Sequence, residues 1–202
     1  MSTSYLTRLV ALILAAWIVG CGSAGGGAGG QGGTKSDTAS GSSHSHDRDG
    51  RQAEDLKPRM IFPDITVRSQ EGEEITTGSL IYGRDTIAIF VQIGCDACSD
   101  VMKVWAENKD QIPPELNVIA FAEDEPEYVK QYAEETNFPF PLYCDEWGVF
   151  ALDYNMDMYP SMIGIRKDGA IAYVGKPVTP EFTPARAWNL LNQVKQGHEG
   201  ER

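Results

Sequence analysis

Two cysteines two residues apart, in Cys95-Asp96-Ala97-Cys98, carry the clearest chemistry in this sequence. A pair at this spacing can close a small disulfide, contribute half of a metal site, or trade electrons with other thiols. The flanking residues bear on which. Ahead of the pair, Ile87–Ile93 reads IAIFVQI, an apolar run with β-branched residues that predicts a buried strand. The run breaks at Gly94. Behind the pair, Val101, Met102, Val104 and Trp105 are apolar while Asp100, Lys103 and Glu107 are polar, so a helix is expected to start at the cysteines. A helix start offers unpaired N–H groups and partial positive charge, which lower the pKa of a thiol placed there. The first sulfur then lies beyond the strand. The second lies one turn further on, where it can attack a mixed disulfide formed on the first.

A structural zinc site needs four ligands. The remaining candidates are Cys144, His44 and His46 in a polar tract, and His198 near the end; none has pair spacing in a segment that reads as folded. A structural disulfide across two residues closes a tiny loop and stabilises little. The redox dithiol is therefore the favoured reading, with Cys95 as nucleophile, Cys98 as resolving thiol, and no metal or cofactor. Asp96 is expected to tune the pair, because its carboxylate opposes a thiolate on Cys95 while the helix start favours one. Asp100 adds a second negative charge one turn on. This predicts a reductant or an intermediate-potential exchanger; the alternative is that Asp96 serves only the helix dipole. Cys144 reads as a small core residue.

The elements that must position the pair follow in order. Ile61–Val67 and Glu73–Thr76 read as short strands about Gly72. After the central strand and the cysteine helix, Pro113-Pro114 closes the helical region. Leu116–Phe121 is a second buried strand. Glu125–Thr136 is a helix with Tyr128, Tyr132 and Ala133 available for its inner face. Phe138–Tyr143 holds Pro139 and Pro141 and reads as an extended connector. Trp147–Tyr154 is a short helix with Val149, Phe150 and Tyr154 inward. Ser161–Ile165 and Ala170–Val174 flank Asp168-Gly169, a hairpin signal. Thr183-Pro184 opens a last helix, with Ala187, Trp188, Leu191 and Val194 on one face and Gly197 as its end. The expected fold class is α/β, a mixed central sheet flanked by helices on both faces. Trp105 and Trp147 read as core or groove packing.

The chain has 202 residues, with 17 Lys+Arg against 29 Asp+Glu and a net charge of -12. No basic run exceeds two residues, so no nucleic-acid partner is expected. Residues 1–20 read as a targeting segment: Arg8 is its only charge, and the apolar core from Leu9 to Gly20 is short for a membrane span. It ends in Ile18-Val19-Gly20-Cys21, which resembles a bacterial lipobox and implies cleavage after Gly20 and lipid on Cys21. Residues 21–56 are rich in Gly and Ser and read as a disordered tether, with a reach of roughly 30–35 Å. The globular domain is expected over 57–197, with 198–202 a frayed tail.

From about Phe62 to Gly175 the sequence resembles thioredoxin-like proteins, most closely the TlpA/ResA-type redoxins of bacterial envelopes. The resemblance rests on Pro63-Asp64-Ile65-Thr66-Val67 with Gly72, an N-terminal hairpin; on Cys95-Asp96-Ala97-Cys98 after the central strand; on Leu142-Tyr143-Cys144-Asp145 and Gly148; and on Tyr159-Pro160-Ser161 before a hairpin at Asp168-Gly169. It implies a thioredoxin-like fold and a cis proline at Pro160, so that Tyr159 and Pro160 bind an extended client peptide. It implies thiol–disulfide exchange with envelope proteins, an electron donor still to be identified, and membrane attachment through Cys21. Three departures stand out: Gly94 where an aromatic residue is frequent, Ala97 where proline is common, and Val101 where an acid is frequent. Two rival readings are a peroxiredoxin-like peroxidase and a non-enzymatic binding or metallochaperone module. The first lacks a hydroxyl at Gln92, where such enzymes carry Thr. The second lacks a histidine between 57 and 197.

Overall fold

The protein is described here by a computed structural model covering residues 52–199. The targeting segment, lipobox Cys21, His44, His46, the tether up to residue 51 and residues 200–202 lie outside the described residues. Packing begins by Glu54, whose N–H donates to Asp153 O at 2.8 Å, and Leu56 is buried.

Seven strands form one mixed sheet. In chain order they are β1 (Thr66–Arg68), β2 (Glu74–Thr76), β3 (Thr86–Val91), β4 (Asn117–Ala122), β5 (Leu142–Cys144), β6 (Ser161–Ile165) and β7 (Ile171–Gly175). Across the sheet the order is β2-β1-β5-β4-β3-β6-β7. Strands β3, β4 and β5 are parallel, with Phe90 opposite Phe121 and Phe121 opposite Tyr143; β6 returns antiparallel to β3. Every residue of β3 is buried, as a strand covered on both faces must be. The helices are α1 (Thr77–Ile81), α2 (Asp96–Glu107), α3 (Pro126–Thr136), α4 (Val149–Tyr154) and α5 (Pro184–Glu199), with a 3₁₀ turn at Lys109–Gln111.

Alternation along the strands divides the core in two. Ile87, Ile89 and Val91 join Ala120 and Ala122 on one face, beneath Cys98, Trp105, Val129 and Leu191 of α2, α3 and α5. Ala88, Phe90, Ile119 and Phe121 take the other face, against Phe62, Ile81 and Phe150. Tyr159 is the one half-buried side chain among the described residues that packs against both clusters.

Several sequence expectations are corrected. The first strand is Thr66–Arg68, not Ile61–Val67; Ile61 makes only an isolated bridge to Ala170. The intervening backbone bonds instead to a side chain of α1, an element the sequence reading missed. Thr77 Oγ1 donates to Pro63 O at 2.6 Å and accepts from the Ile65 N–H at 3.0 Å, while the Gly78 N–H donates to Asp64 Oδ1 at 2.8 Å. A Cβ on Gly78 would lie 2.8 Å from that carboxylate, so a larger residue there would push the Asp64 side chain aside. The supposed connector at Phe138–Tyr143 runs into β5, which takes in its last two residues and Cys144. Its prolines precede the ladder, and Pro141 O accepts from the Ala120 N–H at 2.8 Å. Ile93 lies past the end of β3. In α3, Tyr128 is exposed and Val129 is buried in its place. Trp147 is exposed and precedes α4, whereas Trp105 is fully buried. The last helix runs through Gly197 to Glu199, since glycine inside a helix costs only about 1 kcal/mol.

Candidate functional site

The end of β3 delivers the chain to Gly94, whose φ is +79°. That is left-handed backbone, open to glycine and costly for a residue with a Cβ. The missing aromatic residue before Cys95 thus has a conformational reason. Cys95 then caps α2: its own backbone is extended, and its sulfur accepts from the Cys98 N–H at 3.1 Å. One of the orphan donors of the helix start is therefore aimed at the first sulfur, as the sequence predicted. Cys95 is half-buried and Cys98 fully buried; both are free thiols. Burial, followed by the hydrogen bond with Cys95, pushes the Cys98 thiol up to about 12. The outer sulfur is thus open to attack or be attacked, while the inner thiol keeps its proton until a partner removes it.

Asp96 occupies the first turn of α2 and is exposed, as is Asp100. Tyr132 of α3 pairs with Ser99 and lies near enough to both sulfurs to feel their charge; burial raises its phenol. Between α2 and α3 a groove of about 320 Å³ is lined by Ser99, Met102, Tyr132 and Phe138.

The second half of the site comes from the start of β6. Phe90 is opposite Ser161, so Tyr159 and Pro160 continue alongside the end of β3, just short of the cysteines. The Tyr159–Pro160 bond is cis, and Pro160 is buried. Cys95 and Tyr159 pack on the same apolar cluster.

Sequence reading missed Glu123 and the function of Asp145. Glu123 follows β4 directly, half-buried, and its Oε1 accepts from the Tyr159 hydroxyl. Asp145 follows β5 and is buried; its two oxygens accept from the Val149 and Phe150 N–H groups at 2.9 and 2.8 Å and cap α4. Burial raises both carboxyls, helped at Glu123 by the charges of Asp145, Asp124 and Asp157 and opposed by the Tyr159 hydroxyl. Burial likewise raises the Tyr159 phenol. Glu123, Asp145 and Tyr159 wall a gap of only about 10 Å³ with Phe90, Phe121 and Phe150. An acid at the end of a strand was the available signal, but EDEPE offers four carboxylates in five residues and no pattern to choose among them.

Cys144 is buried on β5, pushed up to about 12 chiefly by burial, with its thiol 3.8 Å from Ser69 O. It stands apart from the pair, on the strand beyond β4. Among the described residues no three His, Cys, Asp or Glu side chains gather as metal ligands. Cys21 lies outside the described residues.

The AhpC/TSA family matches residues 58–174. No curated protein matches the chain. Among solved structures it is similar to Peroxidoxin BcpB from Mycobacterium tuberculosis, with a TM-score of 0.56, 15% identity, and 70% of this chain and 97% of that one covered. It is similar to a candidate protein disulfide isomerase from Bacteroides thetaiotaomicron, with a TM-score of 0.56 and 23% identity over 72% of this chain and 95% of the other. A candidate thiol:disulfide interchange protein DsbE from Chlorobium tepidum gives a TM-score of 0.56 and 14% identity over 69% and 98%. These likenesses share one fold. With the match spanning β1 to β7 and the sulfur pair at the head of α2, the chain belongs to the AhpC/TSA family and is a thioredoxin-like, thiol-based oxidoreductase.

Proposed function

We propose that the protein is a membrane-tethered thiol–disulfide oxidoreductase of the bacterial envelope, working as a reductant on protein disulfides. The observation that carries this reading is the Cys95 sulfur at the cap of α2, 3.1 Å from the Cys98 N–H, with Cys98 buried behind it.

In the reaction the Cys95 thiolate attacks one sulfur of a client disulfide. A Cys95–client disulfide forms, the client S–S bond breaks, and the other client sulfur leaves as a thiolate. Cys98 then gives up its proton and attacks Cys95; the Cys95–Cys98 bond forms and the second client thiolate departs. Two electrons pass from the dithiol to the client. A dithiol donor returns the pair to its reduced form by the same exchange in reverse. Tyr159 and Pro160 supply the edge along which the client lies, and Asp96 disfavours the Cys95 thiolate, holding the couple on the reducing side. The lipobox-like Ile18–Cys21 supports attachment through lipid on Cys21, and the Gly/Ser-rich segment after it supports a tether.

The test is reduction of a protein disulfide such as insulin by the purified domain, with Cys95→Ser as control. Activity lost in the variant supports the reading; a wild type that leaves the disulfide intact sinks it. Cys98→Ala is expected to accumulate clients as mixed disulfides through Cys95. Family membership also favours a second reading, peroxide reduction by Cys95. Peroxide consumption by the Cys98→Ser variant distinguishes the two.

A further inference from the structure

The two faces of the sheet are separate apolar clusters, and the sulfurs belong to only one of them. Glu123 follows Phe121 and Ala122 off the end of β4, and it walls a gap with Phe90, Phe121 and Phe150 on the opposite face. It therefore does not stand behind the cysteines. What it touches is Tyr159, whose hydroxyl it accepts and whose ring reaches both clusters. Tyr159 is bonded to Pro160 and lies beside the end of β3, on the path into β6.

We infer that Glu123 is a positioning residue for client exchange: by accepting the Tyr159 hydroxyl it fixes that ring, and with it the Tyr159–Pro160 main chain along which a client lies. This rests on the exchange reading above and deepens it.

The geometry around Glu123 supports a built contact rather than a chance surface pair. The loop leading into α4 runs beside the carboxylate: a Cβ added at Gly148 would meet Glu123 Cδ at 3.7 Å, an ordinary van der Waals distance. Asp145, held by two backbone N–H groups of α4, borders the same gap. The charged groups facing Glu123 are Asp124 on its own loop, Asp145 from the end of β5 and Asp157 from the loop before β6. All are acids, so the Tyr159 hydroxyl is the donor that answers its carboxyl.

The role is a matter of hydrogen-bond acceptance, which separates it from a charge effect on the sulfurs. Gln at this position keeps an acceptor oxygen and the shape; Ala removes both. Tyr159→Phe removes the donor and keeps the ring. Rate constants are measured for reduction of insulin and of a small aromatic disulfide, which needs no main-chain pairing. Glu123→Ala and Tyr159→Phe are each expected to slow insulin reduction roughly 10-fold, and Glu123→Ala to leave the small disulfide within about 2-fold. Glu123→Gln is expected to stay within about 2-fold on both. The double variant Glu123→Ala/Tyr159→Phe is expected to be no slower than either single one. If Glu123→Ala fails to fold, Tyr159→Phe and Glu123→Gln decide the matter alone. Equal losses on both disulfides, a Gln variant as slow as the Ala variant, or additive losses in the double variant each overturn the inference. A wild type active on insulin with unchanged variants overturns it while sparing the exchange reading; an inactive wild type removes both.

Discussion

The Cys98 N–H points at the Cys95 sulfur across 3.1 Å, so the backbone of the inner cysteine is itself a hydrogen-bond donor to the outer sulfur. The two residues therefore divide their work through burial. Cys95 is partly open and its sulfur accepts that hydrogen bond; Cys98 is closed off and its thiol holds its proton.

That division predicts selective alkylation. Burial pushes Cys98 and Cys144 both up to about 12, so each offers far less thiolate at neutral pH than a free thiol does. Iodoacetamide added to the reduced, folded domain at pH 7 is expected to mark Cys95 first, read by peptide mass spectrometry. Labelling of Cys98 at the same rate would contradict the burial argument.

Asp96→Asn removes a carboxylate from the exposed first turn of α2 while leaving the helix start in place. The Cys95 thiolate is then less opposed, and the couple becomes more oxidising. Solvent screening limits the change to about 10–20 mV, measured by equilibration with glutathione. A shift toward a more reducing potential means Asp96 acts on the helix and not on the sulfur.

Stability is expected to lean toward acid. Glu123 and Asp145 hold their protons more tightly folded than unfolded, where the ordinary values are 4.5 and 3.8. Their support for the fold is fully present below those values and is lost as pH rises through the raised folded ones. Urea midpoints taken from pH 4 to 8 should therefore show a downward contribution that Glu123→Gln flattens. A variant with the wild-type profile would show that Glu123 titrates no differently in the folded chain.

Trp105 ties α2 to the segment before α5, its indole N–H donating to Phe182 O at 2.7 Å. Trp105→Phe leaves that carbonyl without its donor and a void in a fully buried position. A loss of about 2 kcal/mol in urea unfolding is expected. Insulin reduction should survive it, since the sulfurs lie at the other end of the helix.

The sulfur pair was legible because its context is local: a run of β-branched residues, a glycine, then a change of period over a few positions. The helix start, the inner face of α2 and the Asp168-Gly169 hairpin are read from neighbours in sequence in the same way. What escaped was long-range. Strand β5 is three residues behind two prolines and exists because β4 and β1 pair with it. Helix α1 is five residues long and anchored by Asp64 and Thr77, which bond to each other's segments across fourteen positions. Glu123 and Tyr159 are thirty-six positions apart, and no spacing rule brings an acid after one strand to a tyrosine before another. Tyr128 was misplaced for a simpler reason: period alone leaves the phase of α3 open by one residue, and Val129 is the better fit to a dry interior.

The three parallel strands all finish at one rim, and β6 sets out from that same rim in the opposite direction. The segments that meet there, around Cys95, Glu123, Trp147 and Met158, are short and hang from a ladder that does not include them. Selection can therefore rewrite what this rim meets by exchanging a few of its side chains, while the scaffold that keeps the sulfurs in register goes on unaltered.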